Sequence, residues 1–231
     1  MQIVILTGAG ISAESGLGTF RDTDGLWATY DIEDVATPQG FARNPGLVHD
    51  FYNARRATCR AARPNAAHLA LARLQAAMPG HVTIVTQNVD DLHQRAGSDT
   101  VIQMHGALLR ALCATCGHRW DAPVHMYPED VCPSCARSTT RPDVVWFGEI
   151  PYQMDDIAAL VEQATHFAAI GTSGQVWPAA GLVAAAKQVG ATCHELNLEP
   201  SEMSADFDHR LYGPATRVVP EWVAALIKSA S

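Results

Sequence analysis

A doubly wound α/β fold, built on a parallel sheet and carrying a small inserted domain, follows from three features of this sequence. The first is Ile3-Val4-Ile5-Leu6, apolar throughout as in a strand buried on both faces, followed at once by the turn Gly8-Ala9-Gly10. The second is the recurrence of that layout. Residues 82–86 run into Gln87-Asn88-Val89-Asp90, and 167–170 into Gly171-Thr172-Ser173-Gly174. Such polar clusters beyond strand ends are where ligands bind in open α/β sheets. The third is the pair Cys113-x2-Cys116 and Cys132-x2-Cys135, set in the polar stretch 110–142.

Taken in order, strand 3–6 opens the chain. Gly8-x-Gly10-x-x-Ala13 then fits a loose dinucleotide fingerprint. Glycines let the backbone approach a pyrophosphate, and the helix that follows directs free N–H groups at it. The same pattern also describes a ligand-free strand-to-helix turn. The helix is cut at Ser15-Gly16, and a polar loop through Arg21 and Gly25 follows, as expected of a lid over a cofactor. Leu26-Trp27 anchors its far end.

Residues 32–36 and 38–42 read as short helices, and 45–62 as a better one. Pro45 starts it, and Leu47, Val48, Phe51, Ala54 and Ala57 belong to its apolar stripe. Arg63-Pro64-Asn65 breaks it before a helix over 66–77. Strand 82–86 and a short segment at 101–103 come next. Residues 110–142 read as a strand-poor module held by metal. Residues 143–149 return to a strand, then come helix 152–164, strand 167–170, helix 178–189, strand 192–197, a loop containing Ala215 and a closing amphipathic helix over 220–229.

Several residues carry chemistry. The cysteine pairs, fifteen residues apart, have the spacing of a closed tetrahedral zinc site with a structural role. Disulfides are the alternative, disfavoured in a reducing compartment. Asn88 and Asp90 sit where they can read a ligand or simply cap a helix. His105, before Gly106, is either a structural histidine at a strand end or a base with a pKa suited to neutrality. Tyr52 and Arg55 are three apart on one helix and share a face, whereas Arg56 points about 100° away. An amphipathic helix with a snorkelling arginine explains that pair as well.

The segments GAGISAESGLGTFR (8–21), TQNVDDLH (86–93), His105-Gly106, the cysteine pattern, RPDVVWFGE (141–149) and Gly171-Thr172-Ser173 occur in that order. Together they resemble the sirtuins, NAD-dependent protein deacylases, over nearly the whole chain. The resemblance implies a Rossmann-like domain of residues 1–30, 66–109 and 143–231, and a small domain of residues 31–65 and 110–142, helical insertion plus zinc ribbon. NAD would lie against Gly8, Ala9, Gly10, Ser12, Ala13, Thr19, Phe20, Arg21, Trp27, Gln87, Asn88, Val89, Asp90, Gly171, Thr172, Ser173, Asn197, Leu198, Glu199 and Ala215. Asn88 would serve the ribose, Asp90 the nicotinamide carboxamide, and His105 would be the general base. Val144, Phe147, Gly148, Glu149, Gln175 and Val176 would line the acyl-lysine tunnel and hold the peptide. The pair Tyr52 and Arg55 resembles the one in sirtuins that remove succinyl or malonyl groups, since a guanidinium and a phenol suit a carboxylate. The implied reaction transfers the acyl group to ADP-ribose and releases nicotinamide and free lysine, with a structural zinc bound by Cys113, Cys116, Cys132 and Cys135.

The 231 residues carry 16 basic and 24 acidic side chains, a net charge of −8, which argues against nucleic-acid or anionic-membrane partners. No apolar run approaches the ~20 residues of a membrane span. Met1-Gln2 leads directly into the first strand without a basic leader, so a cytoplasmic protein is expected. The resemblance implies acyl-lysine proteins as partners, and a monomer is expected. A dehydrogenase would share the glycine turn, but the acidic residue expected after its second strand is missing. A non-catalytic NAD-binding protein is the other rival, and His105 argues against it.

Overall fold

The computed structural model describes residues 1–18 and 29–230. A six-stranded sheet runs in the order β3-β2-β1-β7-β8-β9, with every pair parallel. Its strands are β1 (Ile3–Thr7), β2 (Val82–Thr86), β3 (Val101–Gln103), β7 (His166–Ile170), β8 (Thr192–Asn197) and β9 (His209–Tyr212). The direction of winding reverses at β1, so the crevice beyond β1 and β7 is the switch point where such sheets bind ligands.

Helices cover both faces, as a sheet of continuous apolar strands requires. On one side α4 (Ala66–Ala77) and α8 (Ala215–Ala230) pack through Leu71, Leu74, Val219 and Val223 onto Ile3, Ile5 and Ile84. On the other, α6 (Met154–Glu162) and α7 (Leu182–Gln188) pack through Ile157, Val161 and Val183 onto Val4, Leu6 and Phe167. Registers such as Thr7↔Thr86 and Thr7↔Ile170 bring the carboxyl ends of the central strands to one edge.

A second core lies beside that edge. Here α1 (Ile32–Val35), α2 (Pro38–Arg43) and α3 (Pro45–Ala61) bury Val35, Val48, Phe51 and Tyr52 against Leu108, Val144 and Trp146. Asn44 caps α3 by accepting the Leu47 N–H at 3.1 Å, with Pro45 at the first helical position. Ala62 turns extended before Arg63-Pro64 and ends it. Asn65 and His68 then form a capping box that starts α4.

The structure corrects several expectations. After Gly10 there is no regular helix but two short 3-10 turns, Ala9–Ile11 and Ala13–Ser15, ended by Gly16 at φ 82°. The module 110–142 is not strand-poor: β4 (Gly106–Cys113), β5 (Arg119–Asp121) and β6 (Thr140–Val144) make an antiparallel sheet in the order β5-β4-β6. Strand β6 ends at Val144, because from Val145 the backbone turns to bond the His105 carbonyl and then Ala36. Residues 178–181 form a 3-10 turn before α7. Ala215 is not in a loop but opens α8, and β9 was not anticipated because its residues are exposed and lack an apolar run.

Candidate active site

The floor of the crevice is where two glycine loops interlock. A Cβ on Gly8 would lie 2.7 Å from the Gly171 carbonyl oxygen, so Gly8 can only be glycine at this approach. Gly10 donates its N–H to the same carbonyl at 3.0 Å, and Gly171 itself has φ 64°. This backbone-lined floor suits a dinucleotide, which needs close approach more than side chains.

Ser12 organises the polar groups above it. Its hydroxyl donates to Asp90 Oδ2 at 3.1 Å and accepts from Asn88 Nδ2 at 3.2 Å. Asn88 Nδ2 also reaches the Gly8 carbonyl at 3.1 Å, and its backbone N–H is held by Thr86 Oγ1. Asp90 Oδ1 accepts the Leu92 N–H at 3.0 Å at the start of α5 (Leu92–Arg95). Capping is therefore part of its role, but Oδ2 is turned to Ser12. Burial raises the Asp90 pKa, opposed by the Leu92 and Ser12 hydrogen bonds and by the charge of Arg55.

Sequence reasoning passed over His68 and His93. His68 Nδ1 accepts the Asn65 N–H at 3.3 Å, so its Nε2 carries the proton and faces Ser12 Oγ at 3.4 Å. His93 Nε2 contacts Thr7 Oγ1 at 3.0 Å, and the two rings meet edge-on at 4.9 Å. Burial lowers their pKa values to about 4 and about 3. Only the Asn65-x-x-His68 spacing of a capping box could have drawn attention to one of them.

His105 stands at the start of β4, half-buried. Its Nδ1 is 3.0 Å from the Gln87 carbonyl oxygen, which can only accept. The proton therefore sits on Nδ1, and Nε2 presents a lone pair. Burial lowers the His105 pKa, against the raising effect of the Gln87 bond, so the ring is a neutral base near neutrality.

At the other end of the crevice Asn197 Nδ2 donates to the Thr172 carbonyl at 2.8 Å, while Ser173 Oγ accepts the Gln175 N–H at 3.2 Å. Leu198 and Glu199 are exposed beyond β8. Glu195, 1% exposed, accepts from Asn197, the Ser201 N–H, Ser204 and Tyr212, which fixes this rim. Gln87 and Val176 line, with Leu6, Phe167 and Met203, a small open pocket under the Gly174 turn. Ala9 and Val89 are half-buried, and Ala13 is exposed. Thr19, Phe20, Arg21 and Trp27 lie outside the described residues. Ala215 follows Pro214 at the head of α8, whose Thr216 is bonded to Glu14 just after the floor turn.

The side wall is α3 packed on the turn after β6. Tyr52 is buried, and its oxygen accepts the Trp146 Nε1–H at 3.0 Å. The Arg55 guanidinium lies 5.6 Å from the centroids of both the Phe51 and Tyr52 rings. Burial lowers its pKa, opposed by the electrostatic effects of Tyr52, Cys59 and Asp90. Arg56 turns the other way, fully buried, and bonds Asn53. Val144 is buried, Phe147 is 48% exposed, and Gly148 (φ 88°) carries the turn to Glu149. Glu149 is gripped by Arg141 through both oxygens at 2.6 and 2.8 Å.

The sulfurs of Cys113, Cys116, Cys132 and Cys135 lie within 4.8 Å of one another, and two of their separations are 3.6 and 3.8 Å. Zinc–sulfur bonds of ~2.3 Å in a tetrahedron imply about 3.8 Å between sulfurs. Four thiols at that spacing fit a structural zinc and leave no open coordination position.

Comparison with known proteins agrees with this geometry. The profile described as the Sir2 family matches residues 8–178. An NAD-dependent protein deacylase of Caulobacter vibrioides is 56% identical over 231 residues, covering 98% of this chain and 97% of its own. One from Escherichia coli K12 is 53% identical over 230 residues, covering 98% and 82%. Among solved structures, a Sir2 homolog–NAD complex superposes with a TM-score of 0.91 at 40% identity, covering 100% of this chain and 91% of that one. A family match over this much of the sequence, with relatives above half identity, leaves one assignment: the chain belongs to the Sir2 family.

Proposed function

We propose that this chain is an NAD-dependent protein-lysine deacylase that takes acidic acyl groups, succinyl or malonyl, as well as acetyl. The observation that carries the acyl preference is the Tyr52–Arg55 pair, two hydrogen-bonding groups held together on the inner face of α3 beside Asp90. An acidic acyl tail would offer one anionic acceptor to a guanidinium and a phenol at once.

NAD, when bound, supplies an electrophilic ribose carbon with nicotinamide as its leaving group. The chain's part is to hold and to move protons. Gly8, Ala9, Gly10 and Ala13 with Gly171, Thr172 and Ser173 would line the pyrophosphate, and Asn197, Leu198, Glu199 and Ala215 the adenosine end. Ser12, Asn88 and Asp90, with Gln87 and Val89 beside them, would bind the nicotinamide and its ribose. His105 would accept a ribose hydroxyl proton on Nε2, its Nδ1–H already committed to Gln87. The acyl-lysine peptide would lie extended between Val144, Phe147, Gly148 and Glu149 on one side and Gln175 and Val176 on the other. In this reading residues 31–65 and 110–142 form a small body, braced by zinc, against the nucleotide-binding remainder.

The test compares one peptide carrying acetyl-lysine or succinyl-lysine, with wild type and Arg55→Met, scoring NAD-dependent acyl loss and nicotinamide release. A charge-assisted bond of ~1.5–3 kcal/mol predicts that the succinyl-to-acetyl ratio of kcat/KM falls by about 10- to 100-fold in the variant. Acetyl turnover alone, with a ratio indifferent to the substitution, overturns the acyl preference. Absence of nicotinamide release from both peptides overturns deacylation itself.

A further inference from the structure

The wall contains a third member that sets the hydrogen-bond polarity of the acyl pair. A phenol oxygen has two lone pairs and one proton. In Tyr52 one lone pair accepts the Trp146 Nε1–H at 3.0 Å, and the Arg55 guanidinium stands 5.6 Å from the ring centroid. Among the described residues no acceptor takes the Tyr52 proton.

Trp146 is not free to turn away. It is 3% exposed, with the Arg141 guanidinium 3.4 Å from its ring centroid and Phe41 at 5.2 Å. Its backbone N–H donates to Glu149 Oε2 at 2.7 Å, and Glu149 is itself forked by Arg141. Arg141 also bonds the Val144 carbonyl at 2.8 Å, which ties the assembly to the end of β6. The indole N–H is thus aimed at Tyr52 by a closed set of contacts.

We propose that Trp146 is a positioning residue for acyl selection: by occupying the Tyr52 oxygen it turns that phenol toward donating its proton, so the pocket favours an acyl tail that ends in an anionic acceptor over its neutral carboxamide isostere. This rests on the reading of Tyr52 and Arg55 as ligands of the acyl carboxylate. A carboxylate accepts and never donates, so it can take hydrogen bonds from Tyr52 and Arg55 together. A carboxamide of the same shape brings an NH2 against donors and leaves groups unpaired, the arrangement that binding sites discriminate most sharply.

The experiment uses one peptide with acetyl-, succinyl- or succinamyl-lysine, the last being the carboxamide of the second. KM and kcat are measured at saturating NAD for wild type, Trp146→Phe, Tyr52→Phe and the double variant. Wild type is expected to favour succinyl over succinamyl by at least about 10-fold in kcat/KM. Trp146→Phe, which keeps an aromatic ring but lacks the N–H, is expected to lower the succinyl-to-acetyl ratio about 10-fold, through the succinyl KM rather than kcat. The double variant is expected to fall no further than Tyr52→Phe alone, because the N–H acts only through the phenol. A Trp146→Phe ratio within twofold of wild type, or additive losses in the double variant, overturns the proposal while the acyl preference stands. Equal turnover of succinyl and succinamyl by wild type also overturns it, whatever the fate of the variants. No succinyl turnover by wild type is the distinct result in which the acyl reading fails and this inference falls with it.

Discussion

The floor of the crevice and its side wall meet at Asp90 and Arg55, yet they are assembled differently. Floor residues follow directly from the ends of β1, β2 and β7, and the parallel register that pairs Thr7 with Thr86 and Ile170 brings them together. Ser12, Asn88 and Asp90 find each other because the sheet has already placed them. The wall has no such register. Tyr52 meets Trp146 across 94 residues of sequence. Asn53 clamps the backbone of Met126 through both its amide atoms, at 3.0 and 2.9 Å, across 73 residues. The floor inherits its geometry from a sheet with two apolar cores, whereas the wall depends on side-chain bonds to a module organised by four cysteines.

Zinc should therefore separate them most sharply. Structural zinc sites contribute about 10–16 kcal/mol of apparent binding free energy in isolated modules. Cys113→Ser, or chelation of the native protein, is expected to abolish acyl-peptide turnover and expose thiols to modification. NAD binding, followed by calorimetry, should persist with at most about a tenfold loss, since β1, β2 and β7 belong to a different sheet from β4, which carries Cys113. Simultaneous loss of NAD binding and turnover would show that floor and wall form one cooperative unit.

Acid acts on the floor instead. His68 and His93 are buried neutral, with pKa values near 4 and 3 against an ordinary 6.5. Above pH 6.5 both are neutral whether the chain is folded or not. Between pH 6.5 and 4 the unfolded chain takes up a proton that folded His68 excludes, so stability falls as pH drops. For His68 alone the loss is roughly 3 kcal/mol by pH 4. Urea melts of wild type and His68→Gln at pH 7, 5.5 and 4.5 measure this. The variant should show a shallower decline, and parallel curves would remove His68 from the account.

The same contrast explains what could be read from the chain alone. Strand-end clusters are contiguous, so β1, β2 and β7 and the residues following each were visible as apolar runs meeting glycines or amides. The cysteines were visible by spacing. The Tyr52–Arg55 pair was visible as a helical repeat, but not Trp146, whose role comes from a tertiary contact with no local signature. His68 was hidden because its capping-box role and its bond to Ser12 use opposite ring nitrogens. Strands β4 and β5 escaped because in a metal-held ribbon few side chains need be apolar: Ala111, Ala122 and Met126 make up its small buried core. The 3-10 turns after Gly10 replace a helix where the backbone passes so close to Gly171 that its path is set by packing rather than by propensity.

One side chain ties the floor to a distant part of the chain and tests how little it needs such help. Glu14, exposed just beyond the glycine turn, accepts the Thr216 N–H at 3.0 Å and its hydroxyl at 2.6 Å across 202 residues, at the head of α8. This is a helix cap supplied from elsewhere, and a carboxylate also suits the positive end of α8. Water competes at an exposed position, and α8 is already fixed on the sheet by Val218, Val219, Trp222 and Val223. Glu14→Gln, which removes the charge but keeps one acceptor, is therefore expected to cost no more than about 1 kcal/mol in a thermal or urea melt. The NAD affinity should be unchanged within twofold. A loss of several kcal/mol, or a weakened NAD affinity, would mean that the glycine turn is held by a long-range side-chain tether in the way Tyr52 is held by Trp146. The floor would then owe its shape to the same kind of contact as the wall, and the sheet register would no longer be sufficient to account for it.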